Sequence, residues 1–504
     1  MRLSHRRRTT STERARRAGG YILVKFAMLL VPLLLLSGLS VDVGYWYARA
    51  SDLQKAADAA ALAGVVWLPN VQAARTHAEA AAAENGFPVG GSISMTVTPI
   101  EGENRRLKVV LRDDAVSSFF YRSIVGRTID MSRTALAEYI LPVPLGSPLN
   151  YFGGNAYSEG GVVPPGGYPN LWGNIHGPRT DNFKGDNFAP ACRGGDLCGA
   201  QSNPDHRPEG YLYTIDVPED LRDLDLQIFD AGLYDRGSDE SVETGDRKYA
   251  GNSSRTTTTT WTMYGIDPTP ADTDDLVRVP TGFCSGSTVK GRLELAEGEA
   301  SSTYRGRYRS LCRRNGDIPA GRYYLRVQTS GNGAGANRYA LRVLSSTSVK
   351  ARIAALGDMS MYNNVAAGNA TFYLAEVGPE HRGKILELSL YDPGEVSGGN
   401  GEIQVIAPNG AIATSCRATS TNNVLNGRLA PCSFQSAVSG NARFNGQTVT
   451  LQIDIPTTYS CTLGTTPGCW WKIRYVISGQ GNDTTTWSAN IIGDPVHLVE
   501  EEAP

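Results

Sequence analysis

A chain of 504 residues is longer than one core needs, so its length calls for two to four domains. A formal net charge of −2, from 48 Lys and Arg against 50 Asp and Glu, offers nucleic acid nothing to bind and excludes it as a partner. With 56 Gly and 27 Pro among many Ser, Thr and Asn residues, the bulk reads as loop-rich and β-structured, not helical.

The charge is unevenly placed. Residues 1–20, MRLSHRRRTTSTERARRAGG, are strongly basic with Glu13 as their one acid, and YILVKFAMLLVPLLLLSGLSVDVG follows directly. Positive charge beside an apolar run stays on the cytoplasmic side. We therefore expect a basic cytoplasmic segment over 1–20, one transmembrane helix over 21–43, and everything beyond it outside the cell. From Ile22 to Leu39 the run spans roughly 27 Å at 1.5 Å per residue, longer than the core of a cleaved signal peptide. Lys25 can snorkel and Pro32 would kink the helix. Gly38–Ser40 has the small residues of a cleavage site, which keeps removal of the N-terminus open as the alternative. Tyr45, Trp46 and Tyr47 stand just past the outer end, where amphipathic aromatics settle at a membrane interface.

Residues 45–84 suit an Ala-rich helix with Leu53, Ala57, Ala60 and Gly64 along one side, interrupted at Pro69–Asn70 and stopped at Asn85–Gly86. Small side chains let helices approach closely. Asp42, Ala57, Ala60, Ala61 and Gly64 are therefore candidate helix-packing residues, although the helix propensity of Ala explains much of the pattern by itself. SISMTVTPI and RRLKVVLRD, joined by EGEN, read as a hairpin; AVSSFFYRSIVG reads as a short amphipathic helix and IDMSRTALAEYI as a strand. Residues 44–141 thus form a long helix with a small α+β module.

LPVPLGSPLN marks a boundary, and 151–208 is rich in Gly, Pro and Asn with one strand-like piece, NLWGNIHGP. The remainder repeats internally. YLYTIDVPEDLRDLDLQIFDAG (211–232) parallels TFYLAEVGPEHRGKILELSLYDPG (371–394), each ending in an Asp-x-Gly turn at Asp230–Gly232 and Asp392–Gly394. YYLRVQTSGNGAGANRYALRV (323–343) parallels WKIRYVISGQGNDTTTWSANI (471–491), and both read as hairpins with Gly- and Asn-rich tips. The expectation is a mainly β region of two tandem antiparallel β-sandwich, jelly-roll-like domains over 150–348 and 349–498.

All eight cysteines follow the apolar run, and an even number there implies disulfides in an oxidising compartment. Pairing in chain order is the simplest arrangement: Cys192 with Cys198, Cys284 with Cys312, Cys416 with Cys432, and Cys461 with Cys469. Without a CxxC or a His near any pair, zinc is not indicated.

No catalytic residue suggests itself. The six histidines are scattered, GxSxG and HExxH do not occur, and GNGAGA at 331–336 tips a β-hairpin instead of opening a helix. No metal site is assigned and no cofactor is expected, save that DRGSDESVETGD (235–246) and DPTPADTDD (267–275) could offer oxygens to Ca²⁺; otherwise they are solvated loops. Asp130–Thr134 and Asp358–Ser360 begin a metal-dependent adhesion motif that neither completes.

The basic N-terminus, the single apolar helix and VDVGYWYARASDLQKAADAAALAG (Val41–Gly64) resemble the N-terminal region of TadE/TadG-like proteins of the Tad (Flp) pilus assembly system. There a V-D-V-G motif closes the membrane helix and A-A-D-A-A-A-L-A-G follows it. The resemblance runs from about Gly20 to Gly64. It implies a non-enzymatic, pilin-like assembly protein or minor pilin of the bacterial cell membrane, single-pass, with a cytoplasmic N-terminus and an extracellular β-rich bulk. Its partners would be the membrane and other pilin-like or Tad assembly subunits, met through the small-residue helix face. Two features depart from the family pattern: Lys25 stands where a processed pilin has Glu, and the complete adhesion motif that many relatives carry does not appear. The alternative is a surface-anchored adhesin or carbohydrate-binding protein using the same anchor, with a surface glycan or a host or neighbouring cell as partner. Exposed aromatics such as Trp261 with Tyr264, or Trp470 with Trp471, would favour it. An exported hydrolase would need a nucleophile–base pair that the sequence does not display.

Overall fold

The computed structural model describes residues 12–100, 103–153, 171–190, 203–233, 246–249, 255–270, 272–285, 291–296, 303–304, 306–347, 350–365, 367–466, 468–493 and 496–499. The chain divides into two compact units, 1–140 with 268–272 and 494–504, and 141–267 with 273–493.

Helix α1 (Thr12–Val65) runs unbroken through Pro32 for 54 residues. Between Leu23 and Val41 every described side chain is exposed except Gly38. This stretch is long and apolar enough to cross a membrane. Two of its polar side chains are satisfied within the helix: the Ser37 and Ser40 hydroxyls donate to the carbonyls of Leu33 and Leu36, each at 2.8 Å.

Beyond Asp42 the environment of α1 inverts. Leu53, Ala56, Ala57, Ala60, Ala61 and Val65 are fully buried at helical spacing. Helix α2 (Val71–Glu84) packs on this stretch with its own small face, Ala74, Ala78 and Ala82. The interruption expected at Pro69–Asn70 is the turn between them, and Asn70 Oδ1 caps α2 by accepting from the Ala73 amide at 3.1 Å. Strands β1 (Ile93–Ile100), β2 (Glu103–Val116) and β3 (Ile129–Tyr139) form an antiparallel sheet against α1. Val97 lies opposite Val109, which puts the expected hairpin in register. The short helix is a single turn, α3 (Tyr121–Val125). A fourth strand, Val496–Leu498, pairs with β3, His497 opposite Glu138. This corrects the second β-region boundary at 498: the chain end completes the sheet of the first unit, because the other edge of β3 is open to a ladder partner.

The second unit corrects the picture of two separate sandwiches. In one antiparallel sheet Tyr211–Val217 pairs with Arg352–Leu356, which pairs with Pro144–Leu145, which pairs with Gly368–Glu376. In the other, Leu171–His176 joins Gly335–Leu344 to Asp358–Val365. Both sheets therefore continue across the boundary drawn at 348/349, and a single apolar core holds residues from Val143 to Ala489. An edge strand of one repeat offers the ladder positions that the next repeat needs, so fusion removes two open edges.

The expected hairpins are also corrected. Gly321–Gly331 lies in the first sheet and Gly335–Leu344 in the second; Trp470–Ile477 and Gln480–Ile492 divide the same way. The Gly-rich tips arch across the core instead of closing a ladder. The repeat itself is real at atomic level. Asp230 and Asp392 both adopt positive φ, 54° and 58°, and their Oδ1 atoms accept from the amides of Gly306 (3.4 Å) and Gly446 (2.8 Å). Three expected disulfides are present, Cys284–Cys312, Cys416–Cys432 and Cys461–Cys469. Cys192 and Cys198 lie outside the described residues. Closing chain separations of 28, 16 and 8 residues, each bond restricts the unfolded chain by about 2.5–3.5 kcal/mol.

Candidate functional site: the collar at the end of the apolar helix

Asp42 ends the apolar run with a carboxylate that has no basic neighbour in its own turn. Its side chain is fully buried. Oδ1 accepts from the amide of Phe119 at 2.7 Å, and Oδ2 from those of Phe120 at 3.0 Å and Tyr121 at 2.6 Å. These are the amides that the start of a helical turn leaves without internal acceptors, so one carboxylate caps α3 from a different helix. The Ser118 hydroxyl accepts the next amide, that of Arg122, at 3.1 Å.

The aromatics interlock around this bond. Tyr45 meets Phe119 edge to face at 5.8 Å, and Trp46 meets Tyr121 in the same way at 5.6 Å. Tyr47 is 81% exposed. One turn further, Arg49 donates from Nε (3.1 Å) and Nη2 (2.7 Å) to the buried Asp113 of β2 and lies over the Phe87 ring at 4.1 Å. On the other side of Asp42, Gly38 has no side chain, and the Phe120 ring lies against it: a Cβ there would come within 2.7 Å of Phe120 Cγ. The collar is thus a rigid joint between helix and sheet. Nothing in it is arranged as a nucleophile with a base.

The remaining helix-packing candidates are placed differently from the expectation. Ala57, Ala60 and Ala61 are fully buried inside the first unit. A Cβ on Gly64 would stand 2.8 Å from Leu107 Cδ2, 2.9 Å from the Ala74 carbonyl and 3.2 Å from Ala78 Cβ. The small residues are needed for close approach of α1 to α2 and β2, so this face is not free to receive another subunit. Sequence reasoning missed Phe119–Tyr121 as the partner of Asp42. Two adjacent Phe residues in the polar stretch SSFFYRS were the available signal.

The polar groups of the second unit serve its turns. Asp483 accepts from the amides of Gly394 (2.8 Å) and Glu395 (3.2 Å) and from the hydroxyls of Tyr475 (3.1 Å) and Thr485 (2.7 Å). Burial raises its pKa, and burial together with the Asp483 charge pushes Glu395 up to about 7. Asp186, raised by burial to about 6, accepts from Tyr211 Oη at 2.5 Å. Asp130 pairs with Arg112 at 3.1 Å and Asp358 with Arg207, while Asn174 donates to Ser360 at 2.9 Å, so both partial adhesion motifs are taken up by strand contacts. Among the described residues, no three His, Cys, Asp or Glu side chains come together as a metal site. Most of the acidic segment 235–246 lies outside the described residues. Trp261, Trp470 and Trp471 are buried, with Trp261 Nε1 donating to the Ala231 carbonyl at 2.8 Å.

Among known proteins, residues 20–84 match the family described as Flp pilus-assembly TadE/G-like. A search of curated proteins found no match. Among solved structures, a protein from Parabacteroides distasonis ATCC 8503 described as secreted aligns over 70% of this chain and 99% of its own at 9% identity; its TM-score of 0.12 carries no argument. The matched segment spans α1 beyond its basic start, the collar residues Asp42–Tyr47 and α2. Over residues 20–84 this chain is similar to the TadE/G-like family.

Proposed function

We propose that the protein is a non-enzymatic component of Tad-type pilus assembly, held in the bacterial cell membrane by α1 with its N-terminus cytoplasmic and its β-rich bulk outside. The observation that carries this reading is the TadE/G-like segment itself, in which an apolar helix exposed on all sides passes without a hinge into a packed module. The basic N-terminus supports the orientation, and disulfides confined to the second unit support an oxidising exterior. Other pilin-like or Tad subunits would meet this protein along the exposed apolar span, since the Ala face is already covered. No cofactor enters the reading.

Cells carrying an epitope-tagged copy test it by fractionation into membrane, sheared surface fibres and medium. Full-length protein in the membrane makes it an assembly component, and protein in the sheared fibres makes it a pilus subunit. A shortened, soluble form in the medium would overturn the anchor. The adhesin alternative has one structural feature in its favour, a cleft of about 390 Å³ beside Tyr459 and Trp471. The burial of the tryptophans on which it relied weighs against it. Glycan-array binding by the solubilised full chain would revive it.

A further inference from the structure

We infer that Phe119 and Phe120 enter the outer leaflet beside α1, so that the protein meets the membrane at two places: a spanning helix and an aromatic loop clamped to it. The inference rests on the anchor reading above. Phe119 is 65% and Phe120 45% exposed, an unusual condition for adjacent large apolar side chains. Their height is fixed by contacts to the helix. The Phe120 ring lies against Gly38, which belongs to the apolar run and precedes Asp42 by one turn, about 6 Å along the axis toward the cytoplasm. If Gly38 lies in hydrocarbon, the ring beside it does too.

The surroundings fit a lipid surface more closely than a protein partner. Val125, at the end of α3, is also exposed, and Arg122 and Arg127 are exposed near it, where they can meet lipid phosphates. Tyr45 and Trp46 pack against the same loop from the helix side. Inserting a loop normally exposes its backbone amides to hydrocarbon, which is costly. Here the Asp42 carboxylate takes the amides of Phe119, Phe120 and Tyr121, and they in turn satisfy a carboxylate at the membrane boundary. Asp42 is thereby a positioning residue for the loop.

Fluorine NMR on the full chain in nanodiscs of phosphatidylglycerol and phosphatidylethanolamine tests this. Trifluoromethyl-phenylalanine replaces Phe119 or Phe120, with Leu34 as the hydrocarbon reference and Val438, exposed in the second unit, as the aqueous one. Expected is broadening of both loop signals by a nitroxide near the headgroup end of the acyl chain, with protection from an aqueous gadolinium chelate. Broadening by gadolinium at 119 and 120, as at 438, would overturn the inference while a lipid-bound 34 leaves the anchor standing. Protection from both agents would place the loop against protein, a second copy of this chain, and overturn it as well. Gadolinium broadening at 34 would overturn the anchor reading, and this inference with it.

Discussion

The two units solve the problem of burial with opposite materials. In the first, the helical core is built from Ala56, Ala57, Ala60, Ala61, Ala74, Ala78 and Ala82, with Gly64 where the helices come closest. In the second, Trp261, Trp470 and Trp487 lie in the core between two sheets, and three disulfides tie the connections. Helices that must lie backbone to backbone leave no room for a large side chain. Sheets packed about 10 Å apart need large ones to fill the gap. A small-to-large change should therefore damage the first unit, and a large-to-small change the second.

The sharpest break comes from Trp261→Ala. Removing a fully buried indole and its bond to the Ala231 carbonyl should cost about 3–5 kcal/mol, read as a lower denaturant midpoint for the second unit. The converse substitution, Gly64→Val, drives a side chain into Leu107 and the Ala74 carbonyl and should cost about 1–3 kcal/mol. Faster amide exchange confined to α1 beyond Asp42, α2 and β2 would show it; unchanged exchange there would mean that the helices are not as close as described.

Asp42→Ala leaves the three collar amides without their acceptor. Exchange at Phe119–Tyr121 should accelerate roughly tenfold, with Asp42→Asn less affected because it keeps one carbonyl oxygen. The smallest effect is on pH. Glu395 is raised by burial from its usual 4.5 to about 7, so the folded state holds the proton more tightly than the unfolded state. Stability of the second unit should be greatest below pH 4.5 as far as this group is concerned and should fall as pH rises through 7. Glu395→Gln should remove that slope, worth about 1 kcal/mol after solvent screening, as measured by melting temperature at pH 5 and pH 8.

Much was legible in the sequence because it depends on neighbours in the chain. The apolar length and flanking charge define the helix up to Val43; the 3.6-residue spacing of Leu53, Ala57, Ala60 and Gly64 gives the side of α1 that is buried; Pro69–Asn70 marks the interruption before α2. The repeat, the Asp230 and Asp392 turns and three cysteine pairs were likewise readable, since a turn aspartate or a near pair of cysteines is a local constraint. What covers the Ala face was not local: periodicity says that a side is buried, but α2 and β2, not another subunit, turned out to cover it. The Gly-rich tips at Ser330–Gly331 and Ser478–Gly479 suit a hairpin and an arch equally well, because both need the same freedom of φ. Hydrogen-bond partners brought from far along the chain decided for the arch, fused the two repeats into continuous sheets and carried Val496–Leu498 back to β3. The collar shows the same division. The chain's own composition placed Asp42 at the end of an apolar helix, and only the fold brought three amides from 77 to 79 residues away to receive its charge.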